Sequence, residues 1–152
     1  YRRCKHFRSY SDQDYTEGIY FEGNDGKSIK NYPKEHSKNL TQRHQATGQM
    51  FKPFARILKN MRTRLVDDGI IATDLAPSYF IEGLLYNAPE SEFKTYYQDT
   101  FIAVMEWLRK ADLNDFVCAN WQYYLLRGDA PVTWTPEKCQ AFINSIIKMW
   151  ND

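Results

Sequence analysis

The pattern of apolar and polar positions changes character near residue 33. Upstream, Tyr1 to Tyr10 alternates roughly, with Tyr, Phe and His set among Arg and Ser, which is the two-residue period of a strand. Ser11-Asp12-Gln13-Asp14 is turn chemistry. Two further β-prone runs, Gly18-Ile19-Tyr20-Phe21-Glu22 and Lys27-Ser28-Ile29-Lys30-Asn31-Tyr32, flank Gly23-Asn24-Asp25-Gly26, and that arrangement predicts a hairpin. Strands this short bury no core of their own, so they are expected to complete a sheet supplied by something else.

From Pro33 onward the period is helical. Asn39 to Gly48 suits either a short helix or an ordered loop. Gln49 to Asp67 is the clearest helix, with Met50, Phe54, Ile57, Leu58, Met61 and Leu65 on one face. Lys52, Arg56 and Lys59 fall on the opposite face, within a stripe of about 60° at 100° per residue. Asp68-Gly69 ends this helix. Ser78 is expected to cap a helix running to about Asn87, with Pro89 as the stop, and Ser91 to cap a longer one. The apolar face of that longer helix would be Phe93, Tyr96, Tyr97, Phe101, Val104, Met105 and Leu108. Phe116 to Leu126 is apolar with no readable period. Thr135-Pro136-Glu137 opens the last helix, Thr as cap and Pro at the first position, with Phe142, Ile146, Met149 and Trp150 facing inward. The expected fold is α+β but mostly α: a short β-hairpin edge over residues 1–32, then a helical bundle over 33–152.

Composition narrows the class of protein. At 152 residues and 18.0 kDa the chain is one domain, or one lobe of something larger. Twenty Lys and Arg against nineteen Asp and Glu leave a net charge of +1, which argues against a surface built to grip long nucleic acid but leaves room for a local basic groove. No apolar run approaches the ~20 residues that cross a bilayer, so no membrane partner is expected. The start, Tyr1-Arg2-Arg3-Cys4, has neither an apolar signal core nor an initiator Met, so a preceding segment is expected to have been removed or processed. Cys4, Cys118 and Cys139 are odd in number and contain no C-x-x-C. Free thiols in a reducing, cytoplasmic setting are the expectation, without zinc.

Most apparent chemistry is weak. Asp12-x-Asp14 has the spacing of a carboxylate pair that holds Mg²⁺, yet it sits among turn formers and reads as a solvated turn. His6, His36 and His44 lack the companions of a zinc site, and no P-loop, dinucleotide glycine pattern or serine-hydrolase elbow is present. The basic stripe is different, because Lys52, Arg56 and Lys59 carry one sign with no interleaved acid. Cations at that spacing suit a polyphosphate, although charges opposite an apolar face are usually just its wetted side. Ser78, at a helix N-terminus, offers a hydroxyl beside free amides to a phosphate oxygen, and the Tyr79 ring offers a surface to a base. A plain cap and a plain core residue remain the alternatives for those two.

Three blocks carry a family resemblance: Asn31-Tyr32-Pro33-Lys34-Glu35-His36; Phe51-x-x-Phe54-x-Arg56-Ile57-Leu58-Lys59-Asn60-x-Arg62; and Pro77-Ser78-Tyr79-Phe80-Ile81-Glu82-Gly83-Leu84-Leu85-Tyr86-Asn87. Together the chain resembles the C-terminal half of bacterial cGAS/DncV-like nucleotidyltransferases, relatives of cyclic GMP-AMP synthase and oligoadenylate synthetase that make cyclic di- or trinucleotide signals in anti-phage defence. The resemblance implies that residues 1–32 are the last strands of the catalytic palm and 33–152 a nucleotide-binding helical lobe. It implies Lys59 on a triphosphate, Ser78 on a phosphate and Tyr79 under a base, with Arg56 and Lys52 widening the positive approach. The partners implied are NTPs and an upstream lobe. That lobe would hold Mg²⁺ through a Gly-Ser loop, an Asp-x-Asp pair and a third Asp, none of which this chain contains. The chain alone is therefore expected not to catalyse transfer. The rival expectation is a stand-alone helical module that binds nucleotide or protein without chemistry.

Overall fold

The computed structural model describes the backbone of residues 4–11, 14–22, 28–31, 33–121, 123–127 and 134–152, and the side chains of those from Lys34 onward. Three strands, β1 (Cys4–Ser11), β2 (Asp14–Glu22) and β3 (Ser28–Asn31), pair antiparallel in that order. Cys4 lies opposite Phe21, and Ile19 opposite Asn31. The tight turns expected between them fall on residues 12–13 and 23–27, outside the described residues, as do the side chains of Cys4, His6 and Asp14.

Five α-helices follow among the described residues. Helix α1 (Pro33–Ala46) is packed against β2 and settles the helix-or-loop question at Asn39 in favour of helix. Pro33 starts it, because a proline at the first position loses no intrahelical hydrogen bond. The chain leaves α1 through Gly48 and Gln49, both left-handed at φ 64° and 65°, with Gln49 N–H donating to the His44 carbonyl at 2.8 Å and Gly48 N–H to that of Gln45 at 3.3 Å. That reversal lets the end of α1 cap the next helix. The Phe51 N–H donates to Thr47 Oγ1 at 3.0 Å, and the Lys52 N–H to His44 Nδ1 at 3.2 Å. His44 is thus a capping residue.

Helix α2 (Phe51–Asp67) is the central element, packed against α1, α3 and α5. Its buried face is Phe51, Phe54, Ala55, Leu58 and Leu65, close to the face the periodicity predicts. It stops where Gly69 takes φ 75°: the Ile70 N–H reaches back to the Leu65 carbonyl at 2.9 Å and the Gly69 N–H to that of Val66 at 3.0 Å. Only glycine adopts this conformation without steric cost, so Asp68-Gly69 is a genuine stop signal.

Two start signals are corrected. Helix α3 spans Ser78–Tyr86, but Pro77 occupies the cap position and Ser78 is the first helical residue, making no capping bond. Ser91 caps nothing either. It lies in a 3-10 turn (Glu90–Glu92), and α4 (Tyr97–Lys110) begins only after Tyr96. The cause is Phe93, which adopts an extended conformation and drives its ring between Phe51 and Phe54, with centroids at 5.6 and 6.1 Å. Burying that ring breaks the helical path. Tyr96 and Tyr97, expected inside, are consequently 70 % and 51 % exposed.

Among its described residues, the segment 116–126 is irregular. Asn87 pins it, donating from Nδ2 to the Val117 carbonyl at 2.8 Å and accepting the Val117 N–H at 2.9 Å. Helix α5 (Pro136–Asn151) begins as expected, with Thr135 Oγ1 accepting the Lys138 N–H at 3.2 Å. Phe142 and Ile146 are buried and Met149 partly so; Trp150 is 40 % exposed yet stacks on Phe101 at 4.0 Å. Cys118 and Cys139 are both buried, and burial pushes the Cys139 thiol up to about 12.

Candidate functional site

The polar residues that α1, α2 and α3 bring together lie where the outward stripe of α2 passes the first turn of α3. Arg62 joins the two helices, donating from Nη1 to the Ala76 carbonyl at 2.7 Å and from Nη2 to Ser78 Oγ at 3.2 Å. The Ser78 hydroxyl is thereby oriented by a cation. The Phe80 and Ile81 amides already bond to the Pro77 carbonyl at 3.0 and 3.1 Å, whereas those of Ser78 and Tyr79 have no intrahelical acceptor by helix geometry. Ser78 therefore combines an oriented hydroxyl with the positive end of a nine-residue helix.

Tyr79 is half-buried and held on two sides. Its hydroxyl accepts from Asn120 Nδ2 at 3.0 Å, and one ring face stacks on His36 at 4.7 Å with an interplanar angle of 17°. Burial, with the Cys118 thiol acting in the same direction, pushes the Tyr79 hydroxyl well above its ordinary value, so it stays a neutral phenol. Asn120 is itself placed by a tight turn in which Trp121 takes φ 63° and the Asn39 amide donates to the Ala119 carbonyl at 2.6 Å.

Glu82, one turn along α3 from Ser78, connects the rest. Its Oε2 lies 3.3 Å from Lys59 Nζ, and its Oε1 lies 3.6 Å from His36 Nε2. Burial acts to raise the Glu82 carboxyl. The His36 imidazole and the Lys59 ammonium outweigh it and hold the group below the ordinary 4.5, so it is an anion at neutral pH. His36 Nδ1 is buried without a hydrogen-bond partner.

The basic stripe does not act as one surface. Lys59 turns toward α3; Lys52 turns toward α1, its Nζ donating to Thr41 Oγ1 at 3.3 Å; Arg56 stays exposed between them. Of the five expected site residues, Ser78 and Tyr79 are adjacent on α3 and Lys59 connects to Tyr79 through Glu82 and His36, while Lys52 sits ~10 Å from Lys59 along the helix axis. His36, Arg62, Glu82 and Asn120 were not singled out. Arg62 follows Lys59 by three positions and Glu82 follows Ser78 by four, so both share a helical face with a candidate, which is a readable signal. His36 and Asn120 reach the site from distant sequence, and only the fold shows them. Among the described residues no group of three or more His, Cys, Asp or Glu side chains is placed to hold a metal ion. A groove of about 850 Å³ opens elsewhere, between Thr47, Phe93, Tyr96 and Ile102, and gathers none of the candidate residues.

Residues 38–151 match the model of the cGAS/DncV-like nucleotidyltransferase C-terminal helical domain, and the chain belongs to that family. It is 40 % identical over 153 residues to the cyclic UMP-AMP synthase of Rhodothermus marinus, covering 97 % of this chain and 52 % of the relative. It is 44 % identical over 139 residues to the cyclic dipurine nucleotide synthase of Elizabethkingia meningoseptica, covering 90 % of this chain and 46 % of that one. The solved structure of the Rhodothermus marinus c-UMP-AMP synthase, with Apcpp and Upnpp, superposes at a TM-score of 0.91 over 97 % of this chain and 52 % of its own, at 40 % identity. That of an Elizabethkingia meningoseptica cyclic dinucleotide synthase, with GTP and Apcpp, superposes at 0.84 over 98 % and 56 %, at 29 % identity. The chain spans about half the length of the curated relatives it matches. No helix among the described residues is long and apolar enough to cross a membrane.

Proposed function

We propose that this chain is the nucleotide-holding C-terminal lobe of an enzyme that joins NTPs into cyclic or linear oligonucleotides. The observation that carries the reading is the placement, along the first five residues of α3, of an oriented serine hydroxyl, an aromatic ring backed on one face and, through Glu82, a lysine ammonium. Those three groups are what a nucleoside triphosphate needs: a donor for a phosphate oxygen, a point charge for the polyphosphate, and a surface for the base. Relatives that make cyclic dinucleotides, with structures holding NTPs or their analogues, support it.

In this reading Ser78 and the free amides beside it take one phosphate, and Lys59 takes the β/γ-phosphates. The base would stack on the Tyr79 ring, which His36 braces on one face. Arg56, one turn away on the stripe, and Lys52 beyond it draw the polyanion in. The strands of residues 4–31 would be the edge of the catalytic palm. The described residues do not supply a metal site; Mg²⁺, which in such enzymes stabilises the attacking hydroxyl and departing pyrophosphate, would be held by an upstream lobe. This chain alone would bind without transferring, in a cytoplasmic enzyme of anti-phage signalling.

The test is Lys59→Ala in the full-length gene product. NTP affinity and turnover should each fall at least tenfold, since a charge-assisted contact is worth ~1.5–3 kcal/mol. Values within about twofold of wild type would end the proposal. Metal-independent nucleotide binding by a gene product that never turns NTP over would favour the stand-alone binding module instead.

A further inference from the structure

We infer that Glu82 is the specificity-determining residue of this site, restraining Lys59 so that bare polyphosphates bind poorly and only a ligand with both a base and phosphates binds well. The inference rests on the nucleotide reading above. An unrestrained ammonium attracts any multivalent anion, and phosphates abound in every cell. Here the ammonium is not free. Glu82 Oε2 stands 3.3 Å from Lys59 Nζ, on a side chain only 23 % exposed, and the carboxyl is ionised at neutral pH. An incoming phosphate must displace a carboxylate from the lysine and then sit near its negative charge.

The second oxygen of the same carboxylate lies 3.6 Å from His36 Nε2, and the His36 ring is stacked against Tyr79. The other imidazole nitrogen has no hydrogen-bond partner, so Glu82 is the polar group that fixes the ring's orientation. One side chain thus does two opposite things. It penalises the phosphate end of the site, and it braces the aromatic platform that rewards the base. Specificity is a difference of affinities, and weakening the competitor widens it as surely as strengthening the ligand. Lys59 is itself 29 % exposed, so solvent screening keeps the penalty modest enough for a nucleotide to overcome.

The experiment measures the affinities of inorganic tripolyphosphate and of ATP, GTP, CTP and UTP for the full-length gene product by calorimetry. Wild type is compared with Glu82→Gln, His36→Ala and Lys59→Ala. Glu82→Gln should bind tripolyphosphate about two- to fivefold more tightly, the scale of a partly exposed charge pair, and gain less for the preferred NTP. The ratio between the two probes therefore falls. His36→Ala should weaken the NTP and leave tripolyphosphate unchanged, a split that general loosening of the fold does not produce. If Glu82→Gln binds tripolyphosphate no better than wild type, the inference is wrong. Should Lys59→Ala leave both probes unaffected, the nucleotide site itself is misplaced; a loss there with no gain in Glu82→Gln overturns only the role of Glu82. If Glu82→Gln melts far below wild type, the near-isosteric Glu82→Met, which buries no amide, gives the same reading.

Discussion

Two parts of the helical lobe meet on α2 and are built on opposite rules. On one side Phe54 is fully buried, with Phe93 and Phe101 at 6.1 and 6.4 Å, and α5 lays Phe142 and Ile146 into the same core. On the other, Lys59 and Arg62 of α2 face Ser78, Tyr79 and Glu82 of α3 and His36 of α1, half-buried and joined by polar contacts. The first side gains free energy by excluding water from apolar surface. The second gives up part of that gain, because half-burying charged groups costs desolvation that pairing only roughly offsets. A fold tolerates this arrangement where the groups have other work, and the contrast says that stability and ligand binding should respond to different substitutions.

The sharpest way to break that contrast is Phe54→Ala. Truncating a fully buried ring should cost ~3–5 kcal/mol in denaturant unfolding, enough to unfold a marginal domain. Asn87→Ala should come next, at ~2 kcal/mol. It strands the N–H and C=O of Val117, and protease cleavage within 116–126 should accelerate. Lys59→Ala should cost at most ~1 kcal/mol of stability while nucleotide affinity falls at least tenfold. If its stability loss rivals that of Phe54→Ala, the two sides are not separable.

The smallest effect is a pH dependence. A carboxyl held below 4.5 in the fold contributes stability that is present above that value and disappears as pH falls through its lowered folded value. The melting temperature of wild type relative to Glu82→Gln should therefore be highest near neutral pH and shrink on acidification below about 4.5. A difference that grows on acidification would mean that Glu82 is destabilised in the fold.

How legible this was depends on the range of each interaction. The core face of α2, its stop at Asp68-Gly69 and the Thr135-Pro136 start of α5 rest on neighbours within one turn, and the chain states them directly. Ser78 and Ser91 misled because a serine caps a helix only when tertiary forces leave it outside the first turn. Here Arg62, sixteen residues away, claims the Ser78 hydroxyl, and burial of Phe93 moves the start of α4 past Ser91. The motif blocks marked Lys59, Ser78 and Tyr79 as candidates but not their partners. His36 and Asn120, forty-three and forty-one residues from Tyr79, reach it only because α1 and the 118–121 turn close on α3.

What the sequence by itself determined is the dry face and the stop of α2, the start of α5, and which residue types could suit a phosphate or a base. Periodicity, caps and residue type are local properties, and they survive without knowledge of the fold. Only the tertiary structure decided that the basic stripe divides, with Lys59 paired to Glu82 and Lys52 turned toward α1. The division depends on which helices pack beside α2, and long-range packing leaves no periodic trace in a single chain.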